Sequence, residues 1–305
     1  MTEQNKPETN PEVEATPNTV PIVPDDWAAL GAKAGYDPKP AEALRLHIVG
    51  PRNQGKTTWE SSIPDTLILD TEGGADAIIA PRATRIFTKN YNDIVMVHDK
   101  LVADAKAGKK RFVRICYDTI DEFIAIIKHK LEDEKGCEDI TEYRSTGYGY
   151  NLILQRFWSF VRDLEGAGYT WGIVGHITTK QETDPSTHKE VTRIRDAVYP
   201  SISAKIGNQC DFKVTIFRKT EEIEKKAQKK LSSGQIIEGV PAGTEIKKTY
   251  MLDCITGRNG ENKARGVGTM EDRFEIPLVN GWDEFVKRYN KAVIEAKEID
   301  KHATD

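Results

Sequence analysis

From residue 43 to about 215, apolar positions alternate between two rhythms. Short apolar runs at 44–50, 66–70, 84–88, 111–118, 170–176 and 211–217 have the length of strands. Between them, 56–62, 91–107, 119–134 and 149–166 carry apolar residues at helical spacing, as Ile153, Phe157, Phe160, Val161 and Leu164 do in the last. Such alternation predicts an α/β fold with a mostly parallel sheet flanked by helices. After 211 the strands lengthen: 212–218 and 248–256 flank a charged stretch, 219–247, that predicts an extended hairpin with a solvated tip. Residues 282–300 predict a terminal amphipathic helix, with Trp282, Phe285, Val286, Tyr289 and Val293 as its stripe. Residues 1–25, rich in Pro, Glu, Thr and Asn, predict a disordered acidic tail. The expected organisation is therefore the tail, a core over 26–281 interrupted by the hairpin at about 219–247, and a C-terminal helix and tail over 282–305.

Composition narrows the class. The chain has 305 residues, 38% hydrophobic and 30% charged, the size of one large domain with appendages. No apolar run approaches the ~18–20 residues of a membrane span, and the N-terminus lacks the basic-then-apolar order of a secretory signal. The four cysteines are scattered without a Cys-x-x-Cys pair, and Cys116 and Cys254 fall inside apparent strands. Reduced, buried thiols and a cytoplasmic location are expected. A net charge of −4 excludes a globally positive field, so any nucleic acid must be met by local loops.

The chemistry concentrates where the first strand ends. Gly50-Pro51-Arg52-Asn53-Gln54-Gly55-Lys56-Thr57-Thr58 is a complete phosphate-binding loop between a strand and a helix. Its glycines let backbone N–H groups turn toward phosphate oxygens, and the following helix adds its positive end. Lys56 would reach the β- and γ-phosphates of ATP, and the Thr57 hydroxyl would ligate Mg²⁺. Asp70 and Glu72 follow at the carboxyl end of the second strand, where a carboxylate can hold an attacking water or simply close a turn. Asp118 ends an apolar run in the layout whose carboxylate holds Mg²⁺. Asp121, one turn into the next helix, reads as a capping residue. His176 ends another apolar strand, as a γ-phosphate contact or as a satisfied structural histidine.

In this order the sequence resembles the RecA-type ATPase core, and more narrowly the compact RecA-like ATP-binding proteins of phages that act in single-strand annealing and recombination. The resemblance covers about 44–280. It implies ATP hydrolysis, with Glu72 as catalytic base, Asp118 as the Mg²⁺-holding aspartate and His176 as the γ-phosphate sensor. The chain departs from the bacterial recombinase in lacking an evident N-terminal swap element and a large C-terminal domain, which puts autonomous filament formation in doubt.

Two segments suit single-stranded DNA. Tyr143 to Tyr150 mixes aromatics, Gly and Arg144, with Tyr148 placed to stack on a base. Residues 178–200, expected as a loop, carry Lys180, Lys189, Arg193 and Arg195, diluted by acidic residues. Arg258, Lys263 and Arg265 lie where a neighbouring subunit's ATP site could use them in trans, as in a ring or filament. A single-strand-binding protein is a further expected partner. The same core leaves open a helicase-like or loader ATPase and an ATP-switched regulatory module.

Overall fold

The computed structural model describes residues 38–74, 78, 81–145, 147–183, 190–230, 236–254, 263–264, 270–277 and 279–302, with only the backbone over parts of its two hairpins. The acidic tail, most of the lead-in to Pro38, the hairpin tip 231–235, Lys189, Arg258 and Arg265 lie outside them.

In chain order the elements are β1 (Leu46–Gly50), α1 (Lys56–Ser61), β2 (Thr66–Asp70), β3 (Thr84–Phe87), α2 (Tyr91–Lys106), β4 (Arg114–Asp118), α3 (Ile120–Lys135) and α4 (Tyr148–Gly166). Then come β5 (Thr170–Thr183), β6 (Glu190–Asp196), α5 (Pro200–Gln209), β7 (Phe212–Lys230), β8 (Ile236–Asp253), β9 (Lys263–Ala264), β10 (Arg273–Ile276) and α6 (Gly281–His302). The main sheet runs β10-β8-β7-β1-β5-β4-β2-β3. From β7 to β3 every pairing is parallel, while β8 and β10 join antiparallel at one edge.

Every residue of β1, β2 and β4 is buried, as expected of parallel strands covered on both faces. One face packs α2, α3, α4 and α5 through Ile94, Phe123, Phe157 and Ile202. The other packs α1 and α6 through Trp59, Trp282, Phe285 and Tyr289. On that face Trp282 stacks on Phe285 at 5.1 Å and meets Trp59 edge-on at 5.8 Å. The Trp282 amide donates to Ser62 Oγ at 2.9 Å, which ties the last helix to the end of the first.

Arg114 weakens the apolar pattern of β4, yet it is buried. Its Nη2 donates to the carbonyls of Ala41, Glu42 and Leu44 at 3.3, 3.1 and 2.9 Å, and the guanidinium lies 5.1 Å from the Trp282 ring. The cation thus fixes the segment that leads into β1, whose carbonyls would otherwise be buried unpaired.

The stretch after His176 is not the expected loop. β5 continues through His176 to Thr183 and pairs antiparallel with β6, from Ile177↔Asp196 to Thr183↔Glu190. Proline-initiated α5 follows. Ile177, Thr178, Thr179, Thr192 and Ile194 favour an extended chain, and their alternation with Lys, Gln, Glu and Arg disguised it as solvated loop. Among the described residues no helix is long and apolar enough to cross a membrane.

Truncating Trp282 to Ala removes the ring that both α1 and Arg114 pack against. It should cost ~3–5 kcal/mol in urea unfolding; a loss below ~1 kcal/mol would show that α6 is not part of this core.

Candidate functional site

The sheet order sets the site. β1 lies between β5 and β7, and the chain leaves β1 toward β2 on one side and β7 toward β8 on the other. In open α/β sheets the crevice at such a reversal, beyond the carboxyl ends of the strands, receives the ligand. Gly50 closes β1 there, in register with His176 of β5. A Cβ on Gly50 would stand 2.2 Å from the Ile216 carbonyl oxygen of β7, so only glycine lets the loop leave the sheet at this point.

The loop then turns through Asn53 (φ 59°) and Gly55 (φ 89°) into α1. Tyr250 of β8 presses its ring on Gly55, 2.9 Å from where a Cβ would sit. Gln54 Oε1 accepts from the Arg218 amide of β7 at 2.8 Å. Lys56 is buried, and its Nζ donates to the Pro51 carbonyl at 2.8 Å. Burial lowers its pKa, against the raising pull of Asp118, Asp121 and Glu72.

Register places the carboxylates. Asp70 and Asp118 are paired positions of β2 and β4, but they face different tasks. Asp70 Oδ1 accepts from the amides of Glu72 and Gly73 at 3.0 and 2.7 Å, and its Oδ2 meets Arg85 at 3.4 Å. Asp70 is thus the turn residue, and it holds the backbone that presents Glu72. Glu72 Oε1 accepts from Thr119 Oγ1 at 3.0 Å.

Asp118 is buried; burial pushes its carboxyl up to about 6, against a hydrogen bond from Thr57 that lowers it. Its Oδ1 has no hydrogen-bond partner among the described residues. A buried carboxylate oxygen without a partner beside a P-loop hydroxyl suits a hard divalent cation, and the donor set of Thr57 and Asp118 fits Mg²⁺.

Asp121 is not a plain cap. Its Oδ2 lies 2.7 Å from His176 Nδ1, and its Oδ1 accepts from the His176 amide at 3.4 Å. Burial raises the Asp121 pKa, but the hydrogen bonds and charge of His176 outweigh it and hold it below the usual carboxylate range. His176 Nδ1 is also 3.9 Å from Glu72 Oε1, so donor atoms of Glu72, Asp121 and His176 all lie within 4.8 Å of one another.

Thr119 and Glu60 escaped the sequence reading, and Asp121 entered it only as a cap. Glu60 sits behind the loop, fully buried, and burial followed by the charge of Asp118 pushes its carboxyl well above the usual range. Burial and the neighbouring Asp118 both disfavour its charged form. One turn after Lys56 on an amphipathic helix, it gave no signal beyond its spacing.

The other candidates are spread more widely. Arg144 (φ 65°) lies with its guanidinium 5.3 Å from the Tyr143 ring and 5.4 Å from the Tyr148 ring. Lys180 and Arg193 are paired positions of the β5–β6 hairpin, beside Arg195 opposite Thr178. Lys263 lies in β9, opposite Lys213 of β7.

Residues 42–245 match the AAA domain family. The chain belongs to that family. No curated protein matches it. Among solved structures, a KaiC-like protein from Pyrococcus horikoshii OT3 is 10% identical, with a TM-score of 0.31, over 72% of this chain and 89% of its own length. The AAA domain matched here spans the P-loop, Asp118 and His176 together, and its family supports nucleotide binding and ATPase chemistry.

One consequence of burying Asp118 in this AAA domain is a conflict between function and stability. With a folded-state pKa of about 6 against 3.8, the folded chain holds the proton more tightly between those values. Stability therefore falls as pH rises through that window and stays lower above it. Asp118→Asn should raise the unfolding free energy by ~1–3 kcal/mol at pH 8 and by less at pH 5. Equal stability of the two proteins at pH 8 would show that Asp118 is not desolvated.

Proposed function

We propose that this chain is a RecA-like ATPase that hydrolyses ATP with Mg²⁺ and acts on single-stranded DNA in annealing or recombination, of the compact kind encoded by phages. The observation that carries the reading is convergence. The P-loop, Asp118, Glu72 and the His176–Asp121 pair all lie at the carboxyl ends of adjacent parallel strands.

Each residue has a task there. The backbone of Gly50 to Thr58 cradles the phosphates, and Lys56 exchanges the Pro51 carbonyl for the β- and γ-phosphate oxygens. Thr57 and Asp118 would hold Mg²⁺, which when bound would supply positive charge beside the phosphates. Glu72, steadied by Thr119, orients the water in line with the γ-phosphorus and accepts its proton, while ADP leaves with the electrons of the broken P–O bond. His176, held through Nδ1 by Asp121, has Nε2 to meet the γ-phosphate, and the β5–β6 hairpin grows from the same strand. Occupancy at the nucleotide is thereby coupled to Lys180, Lys189, Arg193 and Arg195.

On the DNA side, Arg144 between Tyr143 and Tyr148 offers a cation and two rings, and base stacking on such rings is worth ~1–3 kcal/mol. Arg258, Lys263 and Arg265 would complete the site of the next subunit in a head-to-tail ring or filament. A single-strand-binding protein is the further partner this role calls for.

Glu72→Gln preserves size and removes the carboxylate, so nucleotide should still bind while hydrolysis falls by ~10²–10⁴-fold. Normal hydrolysis by this variant would hand the role of base to another group. Turnover measured with and without single-stranded DNA tests the substrate. We expect stimulation by DNA, and single-strand affinity that rises with ATP in the wild type but not in His176→Ala. Equal affinity with ATP, ADP and no nucleotide would refute the coupling.

A further inference from the structure

A second polar cluster is buried where β6 ends. His47 of β1 and Lys213 of β7 are paired positions, so their side chains share one face of the sheet. It is the face of Ile173, opposite His47, which packs in one cluster with Ile202 and Ile206 of α5. There Lys213 Nζ lies 3.0 Å from Asp196 Oδ1 and donates to its Oδ2 at 3.1 Å. Ser203 Oγ of α5 donates to the same Oδ2, and His47 Nε2 is 3.9 Å from it. The Lys213 and Asp196 side chains are 8% and 3% exposed, and His47 is fully buried. Burial holds the His47 pKa down to about 4, so its ring is neutral and Lys213 carries the charge that answers Asp196. None of these groups has a task in the ATP chemistry above.

A buried ion pair contributes little net stability. Desolvation of the two charges offsets most of their attraction, and an apolar pair of similar volume is often no less stable. What the pair can add is one fixed geometry, and its place says for what. Asp196 is opposite Ile177 in the β5–β6 ladder, directly after His176. The next amide, that of Ala197, donates to the His176 carbonyl at 2.8 Å. On its other side the 196–200 turn faces a cavity of about 400 Å³, shared with Asp121, Ile124, Ala125 and Lys128 of α3. That cavity leaves the turn room to shift toward α3, so the contacts of Asp196 decide where it rests. Any shift of the turn pulls on His176 through the Ala197 amide.

We infer that Asp196, locked by Lys213 and Ser203, is a positioning residue that seats His176 at the rim and fixes the angle at which the β5–β6 hairpin leaves the sheet. Lys213 lies in the strand beside β1, so the lock refers the hairpin to the strand that feeds the P-loop. The consequence for turnover rests on the reading of His176 as the γ-phosphate contact. The seating of His176 does not.

Nitrogen-15 histidine NMR of the full chain tests the seating, with the His176 ring signals assigned by their loss in His176→Gln. Asp196→Leu/Lys213→Met removes both buried charges together, whereas Ser203→Ala removes one donor and keeps the charges. We expect the His176 Nδ1 signal to leave its wild-type position in the double variant, to move less in Ser203→Ala, and to stay in Lys213→Arg. In steady-state turnover the double variant should keep its KM for ATP and lose ~10–10²-fold in kcat, the cost of a misplaced group. Lys213→Arg should turn over like the wild type. His176 signals unmoved in both the double variant and Ser203→Ala would overturn the inference. So would a displacement in Lys213→Arg as large as in the double variant. A wild type without ATPase activity would refute the hydrolytic reading instead, and the His176 signals would still decide the seating.

Discussion

The parallel pairings of β1, β2, β4 and β5 end nearly level, and that common edge is the constraint on which the site depends. The hydrogen-bond ladders pair Gly50 with His176, Asp70 with Asp118, and Asp118 with Val174. A one-residue slip of any of these strands would exchange the side chains it packs on its two covered faces. Once the apolar residues of β1, β2, β4 and β5 choose their faces, the polar residues that follow them are carried to one rim. No local signal in any single strand brings them together.

Within that rim the division of labour among carboxylates is electrostatic. Asp70 spends its oxygens on two backbone amides and Arg85. Asp121 spends its own on His176, and burial disfavours the charged form of Glu60. Asp118 keeps an unpartnered oxygen, and Glu72 keeps an exposed carboxylate with a single hydroxyl donor. Asp118 and Glu72, both beside the phosphate-binding loop, thus keep acceptor capacity for a ligand there.

Much of this was legible in the sequence because it is local. The loop at Gly50–Thr58, the apolar strands and the amphipathic helices are patterns of neighbours, and the main helices stand within a residue or two of their expected bounds. The rest depends on distance or on masking. The His176–Asp121 pair joins residues 55 positions apart, so Asp121 alone looked like a helix cap. Arg114 seemed to spoil a strand because the carbonyls it satisfies lie about 70 positions earlier. The β5–β6 hairpin hid because both of its faces are polar, and alternation between charge and threonine carries little hydrophobic contrast.

The long antiparallel pair β7–β8 has a mechanical meaning. Its root is pinned to the P-loop by the Gln54–Arg218 hydrogen bond and by Tyr250 on Gly55. From Arg218 to Lys230 the ribbon extends about 40 Å. It is therefore a lever with its fulcrum at the Gln54–Gly55 turn of the loop. A tilt of a few degrees at the loop sweeps the far end through several ångströms, and a load on the far end returns to the loop as torque.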